Sequence, residues 1–163
     1  MSYALSNNIN RVNNVEMDVL ACLTSSTYVA GGALVINGPT TVTGVSISSD
    51  KLVLSSGASY VIEYATQGYN PSVNWVGTLQ WFNETLDTYV GSVVVLPVAF
   101  SGGMLLYTSR ITRLVARALI LASDFGANST MTFYPRVLTV TSAGSTTFPT
   151  GGAPPSVQVI RIT

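Results

Sequence analysis

Side chains that carry out chemistry are scarce in this chain. Its 163 residues include no histidine, one cysteine, seven acidic and seven basic side chains. A metal site needs clustered His, Cys or acidic residues, and a Ser or Cys nucleophile needs a base that is usually histidine. The sequence therefore predicts that the protein is not an enzyme and that it binds no cofactor and no metal ion.

The scarcity of charge also bears on the partners. Charged residues make up 9% of the chain and the net charge is zero, whereas about 25% is usual in soluble domains. One lysine and six arginines are too few for a basic face, so no nucleic acid is expected as a partner. No apolar run reaches the roughly 20 residues of a membrane span, so no membrane is expected either. A surface with little charge does not keep copies apart and suits an assembly.

The first 25 residues differ from the rest of the chain. They are rich in asparagine, which disfavours a helix, yet their apolar residues recur at spacings of three and four, which fits one face of a helix. We interpret residues 1–25 as an N-terminal arm, helical or extended, that contacts an assembly partner or another copy. A frayed terminus is the alternative. The residues expected to make the attachment are Leu5, Ile9, Val12 and Val15.

Residues 26–163 have the pattern of an all-β domain. Short runs in which apolar and polar side chains alternate are separated by turns that contain Gly, Pro or Asn, which predicts a sandwich or barrel of about ten strands. The predicted strands span residues 28–36, 41–47, 51–54, 59–67, 75–82, 88–96, 104–107, 114–121, 131–140 and 156–162.

The segment 109–122 is ambiguous. It also fits a helix, because Arg110, Arg113 and Arg117 fall at positions i, i+3 and i+7. The strand is favoured, because the turn at residues 126–128 leads into another β run.

Aromatic residues lie on both faces of the run 75–82, where Trp81 and Phe82 are adjacent. Apolar side chains on both faces indicate burial on both sides, which a single sandwich does not provide. We therefore expect apolar contacts between copies of the chain. The predicted interface residues are Tyr64, Trp81, Phe82 and Tyr89.

Another role is open for some of the aromatic side chains. Trp75, Trp81, Tyr69 and Asn74 could form a surface on which a sugar stacks, although Trp and Tyr are also the usual anchors of protein contacts, which we favour.

The carboxylates offer few sites. Glu84 and Asp87 lie in a predicted hairpin loop and could bind calcium or act on a sugar, but a solvated turn is favoured. Glu63 lies within a predicted strand and is expected to form an ion pair with Arg117 or Arg113.

One part of the chain resembles a known family. Residues 52–64, LVLSSGASYVIEY, contain an apolar strand, a turn at Gly57 and a second strand with Tyr60. This pattern resembles that of the tumour necrosis factor and complement globular-head jelly rolls. Residues 79–83 and 89–91 resemble the next hairpin in phage members of that superfamily, and residues 156–162 resemble the last strand.

The resemblance implies a jelly-roll sandwich of two antiparallel sheets, preceded by the short arm. It also implies a homotrimer with apolar side chains along its axis, on the outside of a tailed-phage particle. We therefore expect a structural virion protein, a capsid decoration (cement) protein that binds the major capsid protein on the outer surface of the head. The alternatives are the receptor- or glycan-binding head domain of a phage fibre or tail protein, and a hydrolase that uses Glu84 and Asp87.

Overall fold

The computed structural model describes residues 15–22, 30–67, 77–96, 113–140 and 156–163. Within these ranges the chain consists of strands and turns, with one short 3-10 helix at Ala122–Phe125 and no α-helix. No helix in this part of the chain is long and apolar enough to cross a membrane. The strands are β1 (Val15–Cys22), β2 (Ile36–Asn37), β3 (Val45–Ser48), β4 (Lys51–Ser55), β5 (Ser59–Gln67), β6 (Gly77–Asn83), β7 (Thr88–Leu96), β8 (Arg113–Ile120), β9 (Thr130–Val140) and β10 (Ser156–Ile162).

The strands form two five-stranded antiparallel sheets. Sheet A has the order β2-β1-β10-β5-β8, and sheet B has the order β3-β4-β9-β6-β7. If the edge strands β2 and β3 are set aside, eight strands remain, and the first pairs with the last, the second with the seventh, the third with the sixth and the fourth with the fifth. This nested pairing is that of a jelly roll, so the predicted fold class is confirmed.

The core lies between the two sheets. In β5, for example, Tyr60, Ile62 and Tyr64 alternate with side chains on the other face, and all three are buried. Burial of such alternating apolar side chains is the main favourable term in folding a sandwich. The largest fully buried side chains are those of Trp81, Tyr60, Tyr64, Phe125, Phe133, Ile36, Leu52, Leu54, Ile62, Leu79, Met131 and Val137.

β1 corrects the predicted arm. It lies between β2 and β10 in sheet A and pairs with β10 from Val15 to Ala21. For residues 15–22 the prediction of an arm outside the domain is therefore wrong, and the domain includes residues from Val15 onward. The physical reason is the strict alternation of Val15, Met17 and Val19 with two acidic residues, which has the period of a strand. Residues 1–14 and 23–25 lie outside the described residues.

The other predicted elements agree in part. β5, β7 and β10 have the predicted bounds, and residues 113–120 form a strand, as favoured over a helix. The predicted strand 28–36 is mostly irregular in its described part: Ala33 forms an isolated bridge to Arg136 of β9 in sheet B, and a strand in sheet A begins only at Ile36. This segment changes sheets, which interrupts any continuous strand. The predicted strand 104–107 lies outside the described residues.

Pro135 of β9 lies beside the segment 30–36, which passes from sheet B to sheet A. A proline has no N–H group to donate, so it is unusual within a central strand such as β9. The pairing of β4 with β9 reaches only Phe133, and beyond it the neighbour is the crossing segment. There Leu34 N–H donates to the Pro135 carbonyl oxygen at 2.9 Å, so Pro135 lies beside an irregular segment and not beside a regular strand on that side.

Candidate functional site

The outer face of sheet A, which points away from sheet B, is apolar. The register places Met17 opposite Ile160, Ile160 opposite Val61, and Val61 opposite Leu119. Because neighbours across paired strands contact one another on the same face, these side chains form a row across four strands. We call this surface the apolar face, and its members are Val15, Met17, Val19, Val61, Leu119, Leu121, Ile160 and Ile162.

Much of the apolar face is open to solvent. Val15, Met17, Val19 and Leu119 are 56–59% exposed, whereas Leu20 of β1 and Ala118 of β8, which face inward, are buried. Six of the ten large apolar side chains that are exposed among the described residues lie on this one face. Scattered apolar residues are normal on a protein surface, but a contiguous patch marks an interaction site.

An ion pair lies within the apolar face. Glu63 and Arg117 are directly opposite each other on β5 and β8, and Glu63 Oε1 lies 2.5 Å from Arg117 Nη2. Glu63 is 7% exposed, whereas the Arg117 side chain is 64% exposed. The predicted ion pair of Glu63 is therefore confirmed, with Arg117 as the partner.

Side chains of sheet B hold the edge of sheet A beside this ion pair. Arg117 N–H donates to the Ser92 hydroxyl at 3.0 Å, and that hydroxyl lies 3.3 Å from the Arg117 carbonyl oxygen. Trp81 Nε1–H donates to the Ala116 carbonyl oxygen at 3.0 Å. Gly91 has a φ of +75°, and a Cβ atom there would lie 2.2 Å from the Arg117 carbonyl oxygen, so the close approach of β7 to β8 requires glycine.

A second, smaller apolar surface lies on β7. Val93 and Val95 are 50% and 57% exposed, while Val94 between them is buried in the core. We call Val93 and Val95 the valine strip. It lies on β7 at the edge of sheet B, beside β8 of sheet A, whereas the apolar face belongs to sheet A.

Part of the outer face of sheet B, away from the valine strip, is covered by its own side chains. Phe82 packs on Tyr89 and Tyr134, with ring centroids 5.0 Å and 5.4 Å apart, respectively. The guanidinium carbon of Arg136 lies 4.5 Å from the Phe82 centroid, and Lys51 Nζ lies 5.0 Å from the Tyr134 centroid. We call Phe82, Tyr89 and Tyr134 the aromatic cluster. Aromatic pairs and cation–π contacts of this kind bury one another within a single chain.

The predicted interface residues fall in two places. Tyr64 and Trp81 are fully buried in the core, so the prediction that they contact another copy is wrong. Phe82 is 5% exposed and Tyr89 is 42% exposed, both in the aromatic cluster. Aromatic residues on both faces of β6 are thus explained by the core on one side and by the chain's own cluster on the other, and they do not require a second copy.

Of the four predicted attachment residues, the structure describes one. Val15 lies at the start of β1 on the apolar face, whereas Leu5, Ile9 and Val12 lie outside the described residues. Sequence reasoning missed Met17, Val19, Leu119 and Leu121. The alternation in residues 15–19 was the signal that could have found the first two.

The acidic residues of the predicted hairpin loop lie between β6 and β7, as expected. Glu84 forms an ion pair with Lys51, and Asp87 has a φ of +51° in the turn. Among the described residues, no three His, Cys, Asp or Glu side chains lie close enough together to hold a metal ion. Of the residues proposed to stack on a sugar, Trp81 is buried, and Tyr69, Asn74 and Trp75 lie outside the described residues.

The two acidic residues of β1 fasten the loop that precedes β3. Glu16 accepts a hydrogen bond from Thr43 N–H at 2.5 Å, and Asp18 accepts one from Thr41 N–H at 2.8 Å. These backbone hydrogen bonds lower the pKa of Glu16 and of Asp18 below the ordinary values, with a smaller contribution to Glu16 from Arg161. One side of β1 thus binds the loop that precedes β3 of sheet B. The other side exposes Val15, Met17 and Val19 to solvent.

No family model matches the chain, and no curated protein matches it.

Proposed function

We propose that this protein is a structural virion protein, a decoration (cement) protein that binds the outer surface of a tailed-phage head as a homotrimer. The observation that supports self-association is the apolar face, which is exposed. The Glu63–Arg117 ion pair beside it has no net charge. The virion setting is supported by the resemblance of residues 52–64 and 156–162 to the jelly rolls described above, and by the jelly-roll strand order.

Self-association is favoured because the exposed surface suits another copy of the same chain. The chain has no net charge, so copies do not repel one another. Removing a half-exposed Val, Leu, Ile or Met side chain from water contributes about 1 kcal/mol, and the apolar face offers several of them.

A ring of three copies needs two different surfaces on each copy. In a closed ring with three-fold symmetry each contact is heterologous, so one patch on a subunit meets a different patch on the next. The described residues present two such patches, the apolar face and the valine strip. In the proposed trimer, the valine strip of each copy packs on the apolar face of the next.

Such a trimer would act mechanically. Three subunits present three attachments to the major capsid protein, so the second and third attachments form at high effective concentration and a weak single contact is sufficient. The proposed attachment segment is residues 1–14, which precede β1. In this proposal the protein catalyses no reaction, and Glu84 of the hairpin loop serves as the partner of Lys51.

The receptor- or glycan-binding head domain remains the alternative. Its predicted stacking residue Trp81 is buried and donates its ring N–H to Ala116, which is evidence against that surface. In the aromatic cluster, Tyr89 is the one ring with substantial exposure, and glycan-array binding that Tyr89→Ala abolishes would favour the alternative.

A mixing experiment tests the ring. Leu119→Asp places a charge on the apolar face, and Val95→Asp places one on the valine strip. Each variant alone should be a monomer of 17.2 kDa, because a buried unpaired charge opposes the contact. Mixed together, the intact apolar face of the Val95→Asp variant should bind the intact valine strip of the Leu119→Asp variant. The mixture should then form a heterodimer of about 34 kDa, twice the chain mass, and a mixture that stays monomeric contradicts the ring.

Decoration is tested on particles. Purified protein is added to heads that lack it, and occupancy is measured by cryo-electron microscopy. We expect three-fold density on the outer surface with the wild type and none after deletion of residues 1–14, although the deleted protein should remain folded because β1 begins at Val15. Density at the tail or no binding of the wild type would favour the fibre alternative.

A further inference from the structure

The dipeptide Asn37–Gly38 lies where β2 ends, and its surroundings are open. Asn37 is exposed, whereas Ile36 before it is buried in the core. Gly38 follows the strand with a φ of +114°, a conformation that glycine adopts easily. A Cβ atom at Gly38 would have no neighbour within 4 Å. Water therefore reaches both residues.

The backbone nitrogen of Gly38 faces the side-chain amide of Asn37. Gly38 N–H donates to Asn37 Oδ1 at 3.0 Å. Because Oδ1 is bonded to Cγ, this contact places the Gly38 nitrogen beside the electrophilic carbon of the side chain. Glycine has no side chain that would hinder an attack on that carbon, and a succinimide ring closes when the nitrogen bonds to it. This arrangement favours the reaction that makes asparagine a labile residue.

The two other asparagines among the described residues are placed differently. Asn83 is 2% exposed, and its side-chain amide is hydrogen-bonded at both ends. The nitrogen that follows it, that of Glu84, donates to the Thr132 carbonyl oxygen at 2.9 Å and is thus engaged elsewhere. Asn128 is partly buried and precedes Ser129, whose side chain hinders the same attack. The geometry therefore singles out Asn37.

A change of the main chain at Asn37 falls between two fixed points. Ile36 is buried, and its N–H donates at 2.9 Å to a carbonyl oxygen of the turn between β3 and β4. Thr41 N–H donates to the Asp18 carboxylate at 2.8 Å. Asn37 itself pairs with Ala21 of β1. An additional main-chain carbon in residue 37 therefore disturbs this pairing or one of the two hydrogen bonds.

We propose that Asn37–Gly38 is a self-modification site, at which the folded chain converts Asn37 to aspartate and isoaspartate and thereby loosens β2. The Gly38 nitrogen loses its proton to solvent and bonds to Asn37 Cγ, the Cγ–Nδ2 bond breaks, and ammonia leaves with a proton from water.

Water then opens the succinimide in one of two ways. Addition of water at Cγ breaks the bond from Cγ to the Gly38 nitrogen and gives aspartate. Addition at the main-chain carbonyl carbon of residue 37 breaks the original peptide bond and gives isoaspartate, in which the main chain runs through Cβ and Cγ. Either product adds a negative charge to a chain whose net charge is zero.

Site-resolved mass spectrometry tests the reaction. The wild type is incubated for several weeks at mildly alkaline pH, both folded and in urea, and the loss of the amide is followed at each asparagine. Isoaspartate is detected by isoaspartate-specific enzymatic methylation. In the folded protein, Asn37 should react at least about tenfold faster than Asn83 and Asn128, at a rate comparable to its own rate in urea. An Asn37 amide that survives in the folded protein and is lost in urea overturns the proposal.

Two variants test the chemistry. Asn37→Ser removes the reacting amide, so the acidic form that arises from this site should not accumulate. Gly38→Ala places a Cβ atom beside the attacking nitrogen and should slow the reaction at Asn37 at least about tenfold. Its φ of +114° is strained for alanine, so circular dichroism checks the fold, and if Gly38→Ala does not fold, the comparison of folded and urea-treated wild type decides.

The structural consequence is tested on the separated products. The isoaspartate form, purified by ion exchange, is compared with freshly prepared Asn37→Asp, which has the same charge without the additional main-chain carbon. Urea unfolding at one protein concentration should give the isoaspartate form a lower midpoint than Asn37→Asp. Equal midpoints would overturn the loosening of β2. Neither readout depends on the proposed trimer.

Discussion

The outer faces of the two sheets differ in how far their large apolar side chains are covered. Each face carries large apolar side chains that the core does not cover. On sheet B, Phe82 and Tyr134 are 5% and 9% exposed, because rings from β6, β7 and β9 cover each other beneath Arg136 and Lys51. On sheet A, the side chains of β1 and β8 reach 59% exposure, with one ion pair among them.

The difference indicates where a second molecule packs in the proposed trimer. The rings of the aromatic cluster cover one another beneath two cations, whereas the valine strip of the same sheet is exposed. Among the described residues, the aliphatic side chains that lie across four strands of sheet A have no such cover, and in the proposed trimer their apolar area is removed from water by another molecule. In our account that molecule is a second copy.

The largest effect is expected from a charge on the apolar face. Met17→Asp changes a side chain that is 59% exposed on β1 and should weaken trimer formation at least about a hundredfold. The matched control is Leu86→Asp, which changes a side chain that is 48% exposed in the loop between β6 and β7, roughly 20 Å along β7 from the valine strip. Size-exclusion chromatography with light scattering measures both. If the two variants behave alike, the faces do not differ as described.

A smaller effect is expected on the free energy of unfolding, and it differs between the core and the aromatic cluster. Trp81→Ala should destabilise the fold by about 3–5 kcal/mol, because it leaves a cavity where a fully buried ring was. Tyr89→Ala on the outer face of sheet B should cost about 1 kcal/mol. Urea unfolding at one fixed protein concentration measures both, since the stability of an oligomer depends on concentration. A Trp81→Ala variant of normal stability but altered oligomeric state would restore the interface role that we reject.

The smallest effect concerns the inner side of β1, and it depends on pH. The pKa values of Glu16 and Asp18 are lowered in the folded protein, so the folded state binds fewer protons than the unfolded state. Their contribution to stability is therefore present at neutral pH and is lost as the pH falls below the ordinary carboxylate values of about 4. Both carboxylates are open to solvent, so the change should be modest.

The measurement is urea unfolding between about pH 6 and pH 3. The double variant Glu16→Gln/Asp18→Asn should show a flatter decline than the wild type, while its oligomeric state at neutral pH stays the same. An equally steep decline in the variant would mean that these hydrogen bonds to the loop before β3 do not contribute.

Much of the fold could be predicted from the sequence, because strands of this type carry a two-residue period and end at Gly or Pro turns. β5, β7 and β10 begin and end where the pattern places them. The ion pair of Glu63 is predicted with Arg117 or Arg113 as the partner, and the structure shows Arg117. The sequence leaves residues 1–25 helical or extended, because the spacings of Val12, Val15 and Val19 also fit a helix, and it does not show that β1 pairs with β10 near the other end of the chain.

The site could be predicted only in part. The composition and the scarcity of charge predict apolar contacts between copies, but they do not identify the residues that form the apolar face. In β6 both Trp81 and Phe82 have large rings, and the choice between core and surface depends on Tyr89 and Tyr134, which reach Phe82 through pairing with β7 and β9. Such partners are distant in sequence, so the alternation within one strand does not identify the inward face.

The mass of the wild-type protein in solution tests the central claim most directly. At micromolar concentration, light scattering should give about 52 kDa, three times the chain mass of 17.2 kDa. The value should be the same in low salt and in about 1 M salt, which screens surface ion pairs but not apolar contacts. A single species of 17.2 kDa under both conditions would contradict the account, because the apolar face would then remain exposed.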